Sequence, residues 1–216
     1  MGAKLDGMTG IYLELGHKKV FACSLDWPGW ARVDRSEEAA IAHLMDYVPR
    51  YRVVAERAGL VFEPGDPVVV ERVKGGTTTD FGAPQSMPDA DREPVDADTA
   101  QRDVALLRAA WVLFDETAAA TPEELRKGPR GGGRDRTKMV DHVVEAERSY
   151  TRQLGIRHPP YKSAADRDAM REELAAALSQ PWDGALDHPW TPRYVTRRVV
   201  WHVLDHLWEM EDKRSV

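Results

Sequence analysis

The sequence predicts an α+β protein in which a small N-terminal β-β-α-β module precedes an antiparallel bundle of four main helices. Three observations predict it. Short β-favouring runs are confined to the first third of the chain, at Ile11 to Leu15, Lys19 to Ser24 and Val68 to Val70. From Thr99 onward the apolar residues recur at helical spacing instead. Between these regions, Thr77 to Asp98 turns to Pro, Asp and Gly with almost no apolar periodicity. The chain therefore divides into a module over residues 1–76, a linker over 77–98 and a bundle over 99–216. With 216 residues and 42% hydrophobic content, it can bury a core without metal or disulfide staples.

Each element has a local reason. Gly16-His17 separates the first two runs and reads as the turn of a hairpin. Asp26-Trp27-Pro28-Gly29-Trp30 is a turn, whose two tryptophans either form an aromatic contact surface or pack beneath it. Ser36 caps a helix with Glu37 and Glu38 in its first turn, where carboxylates complement the helix dipole, and that helix runs to near Gly59. In the second half, Val104, Leu107, Trp111 and Phe114 mark a helix over Thr99 to Ala120. Thr121-Pro122-Glu123-Glu124 has the chemistry of a new helix start. Arg126 to Arg136 is a basic Gly-rich loop, either a flexible connection or a cradle for an anionic substrate tail, but without the Gly-Lys-Ser/Thr ending of a phosphate loop. A helix from about Asp135 to Leu154 follows, stopped by Gly155. Ser163-x-x-Asp166 resembles a capping box before Ala169 to Leu178, and Thr191-Pro192 opens a last helix that ends near Lys213.

Composition narrows the function classes. A formal net charge of -6 argues against general affinity for nucleic acid, which needs clustered Lys and Arg to displace phosphate counterions. Cys23 is the single cysteine, so no intrachain disulfide forms, and a buried strand position suits it. Met1 to Gly10 lacks the basic and apolar regions of a signal peptide, and Asp6 stands where a myristoylation motif wants Ser or Thr. No run approaches the roughly 20 apolar residues of a membrane helix. The expected location is cytoplasmic, with no membrane or nucleic-acid partner.

The chemistry centres on histidine. His202 and His206 stand four residues apart in the last helix, so their rings share one face and can converge on one ion. Asp205 and Glu209 fall in the same arc. His142, mid-helix beside Met139, Val143 and Ala146, is the best third ligand. All three sit at the borders of their apolar faces, which suggests a cleft open on one side. Three histidines with open positions make the catalytic pattern for a divalent metal, whereas solvated histidines flanking a core are the simpler alternative. Glu145, Asp205 and Glu209 are neighbouring acids that either orient a histidine or face solvent, so no general base is assigned. His17, His43, His158 and His188 fall outside the site.

The order of these motifs resembles the DinB/YfiT-like family of four-helix-bundle metalloproteins. Gly131-Gly132-Gly133, then His142 with Glu145 and Glu147, then His202 and His206 carry the likeness, over about Thr99 to Arg214. The resemblance implies a divalent metal, zinc or nickel, held by His142, His202 and His206, and pairing into homodimers. Some relatives transfer, or isomerise with, low-molecular-weight thiols such as mycothiol, bacillithiol or glutathione. The implied function is a metal-dependent thiol transferase or hydrolase with a small-molecule substrate. A non-catalytic metal- or ligand-binding stress-response protein is the alternative.

Leu25-Asp26-Trp27-Pro28-Gly29-Trp30 with Ser36-Glu37-Glu38-Ala39 resembles a HicB-like module. Because a helical bundle follows it where HicB antitoxins carry a DNA-binding segment, packing or dimerisation is its expected role. A regulator built on this half is a third reading.

Overall fold

The computed structural model describes residues 7–128 and 133–214. Its N-terminal part is a four-stranded mixed sheet with helices, and its C-terminal part is a set of packed helices. Strands β1 (Met8–Leu15), β2 (Val20–Ser24), β3 (Ala31–Asp34) and β4 (Asp66–Lys74) lie in the order β3-β2-β1-β4. The expected hairpin is present, with Leu13 opposite Ala22, and β4 joins β1 in parallel. Strand β3 extends the outline expected from the sequence. It pairs antiparallel with β2, and its Ala-Arg-Val-Asp run is too short and polar to announce itself.

The turn between β2 and β3 explains how the sheet meets the helices. The Trp30 amide donates to the Trp27 carbonyl, and Gly29 has φ +85°, a backbone shape that disfavours any Cβ. A Cβ at Gly29 would also lie 2.5 Å from a Val200 methyl, so the bare backbone lets the last helix approach. Both tryptophans pack inward. Trp30 is fully buried and donates to the Leu44 carbonyl at 2.9 Å, while Trp27 stacks edge-on against Phe62 beneath Arg102.

The single expected helix is two, α1 (Glu37–Asp46) and α2 (Val48–Arg57). Tyr47 breaks them at φ −89°, ψ 2°, and Pro49 falls in the first turn of α2, where its missing N–H has no helical partner to lose. Ser36 caps α1 as expected.

Residues 77–98 carry a short helix, α3 (Thr77–Phe81), and a 3₁₀ turn at Asp89–Arg92. Side chains from other regions fasten them. The buried carboxylate of Glu14 accepts from the amides of Gln85 and Ser86 and the hydroxyl of Thr79, and buried Asp91 pairs with Arg197.

The remaining helices are α4 (Ala97–Ala120), α5 (Arg136–Thr151), α6 (Ala164–Leu178) and α7 (Pro192–Lys213). Helix α7 packs on α4, α5 and α6. No helix starts at Pro122. Thr121 instead ends α4, its hydroxyl donating back to the Thr117 carbonyl, and Glu123 reaches across to accept from Thr137 and pair with Arg136 at the start of α5. The acid that suggested a new helix serves the next one.

One buried cluster runs from Leu13, Leu44 and Tyr51 through Leu107, Phe114, Met139 and Leu174 to Val203 and Leu204. A second lies on the other face of the sheet, where Tyr12, Phe21, buried Cys23 and Ala31 meet Trp201. Helix α7 thus contributes to both clusters, which explains its nearly continuous burial. Among the described residues, no helix is long and apolar enough to cross a membrane.

Candidate metal centre

Helices α5 and α7 bring His142, His202 and His206 together, with ligand atoms all within 4.8 Å of one another. The register of α5 is held from its far side. Glu147, fully buried, accepts from Trp111 Nε1 of α4 at 2.7 Å and from Arg171 Nε of α6 at 3.0 Å. The acid that follows His142 in the motif is therefore a brace between three helices and makes no contact with the histidines. The start of α5 is tied by Glu123, and Asp135 is occupied by Lys127.

His142 Nε2 and His202 Nε2 stand 3.1 Å apart. Two nitrogens on one tetrahedral zinc are roughly 3.3 Å apart, given bonds near 2.0–2.1 Å. The ring of His206 lies 4.7 Å from that of His202 and 5.0 Å from that of His142, centre to centre. His206 Nδ1 meets Glu209 Oε2 at 2.7 Å, which leaves Nε2 as its free coordinating atom. A carboxylate on the distal nitrogen of an imidazole is the arrangement that orients metal-binding histidines. Lys213 in turn binds the other oxygen of Glu209.

The electrostatics suit neutral imidazoles at His142 and His202. Burial pushes His142 down to about 4, helped by the charges of His206 and Arg134. Burial also drives His202 well below its ordinary value, with His206 and His142 adding to it. The hydrogen bond with His206 holds Glu209 down to about 2, and Lys213 reinforces it. Neutral imidazole is the form that binds metal. The donor set therefore fits a divalent ion; with Nε2 on that ion the ring proton of His202 would sit on buried Nδ1, which has no acceptor among the described residues.

The site is more enclosed than the angular count suggested. His202 and His206 are 6% and 7% exposed, and only His142 is partly open, because the sheet covers α7 on a side that helical periodicity alone leaves to solvent. A depression of about 240 Å³ lies beyond Glu209, lined by Arg32, Tyr47, Asp205, Trp208 and Lys213. Of the neighbouring acids, only Glu209 touches a histidine. Glu145 pairs with Arg148, and Asp205 pairs with Arg32 from β3. His43 lies near the Val33 carbonyl and His158 pairs with Glu173, both away from the cluster. Gly131 and Gly132 lie outside the described residues, and Arg126 at the edge of the loop docks on the carbonyls of Asp212 and Lys213.

Sequence reasoning missed three polar neighbours. Tyr150 approaches the His202 ring at 5.9 Å, and Tyr194 and Arg198 precede His202 by eight and four residues on α7. The four-residue spacing of 194, 198, 202 and 206 was the available signal. No family model, curated protein or solved structure matches the chain.

Proposed function

We propose that this chain is a metal-dependent enzyme in which His142, His202 and His206 hold one divalent ion, zinc or nickel, within a DinB/YfiT-like four-helix bundle. The observation that carries the reading is the donor set. Three imidazoles from two helices converge, and no fourth His, Cys, Asp or Glu joins them among the described residues. A structural zinc site normally closes its tetrahedron with protein ligands, whereas a catalytic one leaves a position for solvent or substrate. An ion bound there would acidify a water or thiol at that open position. Glu209 fixes the orientation of His206, and burial keeps His142 and His202 free of competing protons.

The likeness of motif order supports a small-molecule substrate, a low-molecular-weight thiol in a transfer reaction or water in a hydrolysis. It also supports homodimers, which light scattering would detect. The enclosure of His202 and His206 favours a second reading, a metal- or ligand-binding protein without turnover. The test is a conjugation screen of the zinc- or nickel-loaded chain with glutathione, bacillithiol or mycothiol and an electrophile, run beside an ester panel. Product formed by wild type and lost in His202→Ala supports the enzyme. A fully loaded chain inert toward every pair leaves the second reading.

A further inference from the structure

Arg198 is buried, 6% exposed, yet no carboxylate lies within salt-bridge distance of it among the described residues. The other buried arginines all have one. Arg32 has Asp205, Arg171 has Glu147 and Asp115, and Arg197 has Asp91. Among the described residues the only hydrogen-bond partner of Arg198 is the Tyr150 hydroxyl, at 3.2 Å from Nη2. Its Nε and Nη1 have none, so with one bond at Nη2 four of the five N–H bonds of the guanidinium lack an acceptor.

The orphaned atoms are not scattered. Among the described residues, all five buried side-chain atoms without a partner, from Tyr194, Arg198, Trp201 and His202, lie on successive turns of α7 leading into the metal centre. The guanidinium stacks 5.0 Å from the Trp201 ring and 5.3 Å from the Tyr150 ring, contacts that offset only part of the cost of burying a charge. Tyr150 and Trp190, 5.5 Å apart and both partly exposed, form the solvent side of this group.

We propose that Arg198 is a substrate-positioning residue that binds an oxyanion, the carboxylate of a small molecule whose other end reaches the metal held by His142, His202 and His206. The inference deepens the metal-enzyme reading and rests on it for the second half of the ligand. An entering carboxylate replaces the neutral Tyr150 hydroxyl at Nη2, a trade of an ordinary hydrogen bond for charge-assisted ones, and supplies an acceptor to the uncommitted N–H bonds. Four residues separate Arg198 from His202, a rise of about 6 Å. The ligand is therefore short, with its metal-reaching atom about one helical turn from its carboxylate.

Calorimetry on the zinc-loaded chain tests this with 3-mercaptopropionate and its uncharged analogue 3-mercapto-1-propanol. The acid is expected to bind roughly ten-fold more tightly or better, and Arg198→Met is expected to erase that preference while the zinc content stays unchanged. Arg198→Lys, which keeps the charge without the fork, should retain part of it and serves if the Met variant fails to fold. Propionate binding to the metal-free chain, lost in Arg198→Met, isolates the oxyanion site from the metal. Failure to take up zinc would thus sink the metal reading while propionate still reports on Arg198. Inorganic phosphate bound more tightly than propionate would reassign the ligand from a carboxylate to a phosphate. Equal affinity for acid and alcohol in wild type, or a preference that survives in Arg198→Met, would overturn the proposal.

Discussion

Arg197 and Arg198 are adjacent on α7 and equally buried, yet their surroundings are opposite. Arg197 faces the sheet, where Asp91 accepts two bonds at 2.7 and 2.9 Å and the carbonyls of Ser24 and Leu25 accept two more. Arg198 lies against Tyr150 and Trp201 and, among the described residues, has one neutral hydrogen-bond partner. Satisfied buried charge marks the part of the molecule that holds the fold together, here the seam between β2, the 3₁₀ turn and α7. Unsatisfied buried polarity marks the part kept for a ligand, because folding alone gives no return for burying an unpaired donor.

The largest expected effect breaks the satisfied side. Arg197→Met strands the carboxylate of Asp91, which is 0% exposed, and should cost about 3–5 kcal/mol in denaturant unfolding. A loss under about 1 kcal/mol would mean that the pairing is not what seals the seam.

Glu209→Gln comes next. It removes the charge that orients His206 and should weaken metal affinity about 10–100-fold in a competition titration with a chelator. An unchanged affinity would show that His206 orients itself.

A pH series separates the two regions further. His142 and His202 have folded values below their unfolded ones, so the unfolded chain binds more protons and stability rises with pH. Sign and window follow from this. The metal-free chain has its full contribution above the unfolded histidine value near 6.5 and loses it as pH falls toward about 4. Melting temperatures of wild type and of His142→Gln with His202→Gln should converge as pH rises through that window if the variant loses the acid sensitivity. Parallel curves would show that the histidines are not the groups that titrate.

The smallest effect is the most telling for the comparison. Arg198→Met should leave stability within about 1 kcal/mol of wild type, or raise it, because it removes a buried charge without stranding a partner. A loss as large as that of Arg197→Met would place Arg198 with the scaffold.

Much of this was legible in the sequence because it rests on local chemistry. Ser36, Ser163 and Thr191 accept the amides they were expected to cap, and the hairpin at Gly16 forms. The three histidines meet as expected, since the i,i+4 pair is fixed by helix geometry and His142 needed only one helix contact. What failed depended on partners distant in sequence. Glu123 reads as part of a helix start because its partner Thr137 lies fourteen residues on, outside any local pattern. Glu147 reads only as part of the motif that follows His142, because its partners Trp111 and Arg171 lie far from it in sequence. The sequence alone understates the depth of His202 because the strands packed on α7, β1 and β2, lie at the other end of the chain, a contact no local window contains.

Metal stoichiometry is the most direct measurement. Elemental analysis of chain purified without a histidine tag, before and after exposure to zinc or nickel, should find about one divalent ion per chain in wild type and close to none in His202→Ala. Wild type that takes up no ion, or a His202→Ala chain that takes up as much, would contradict the account.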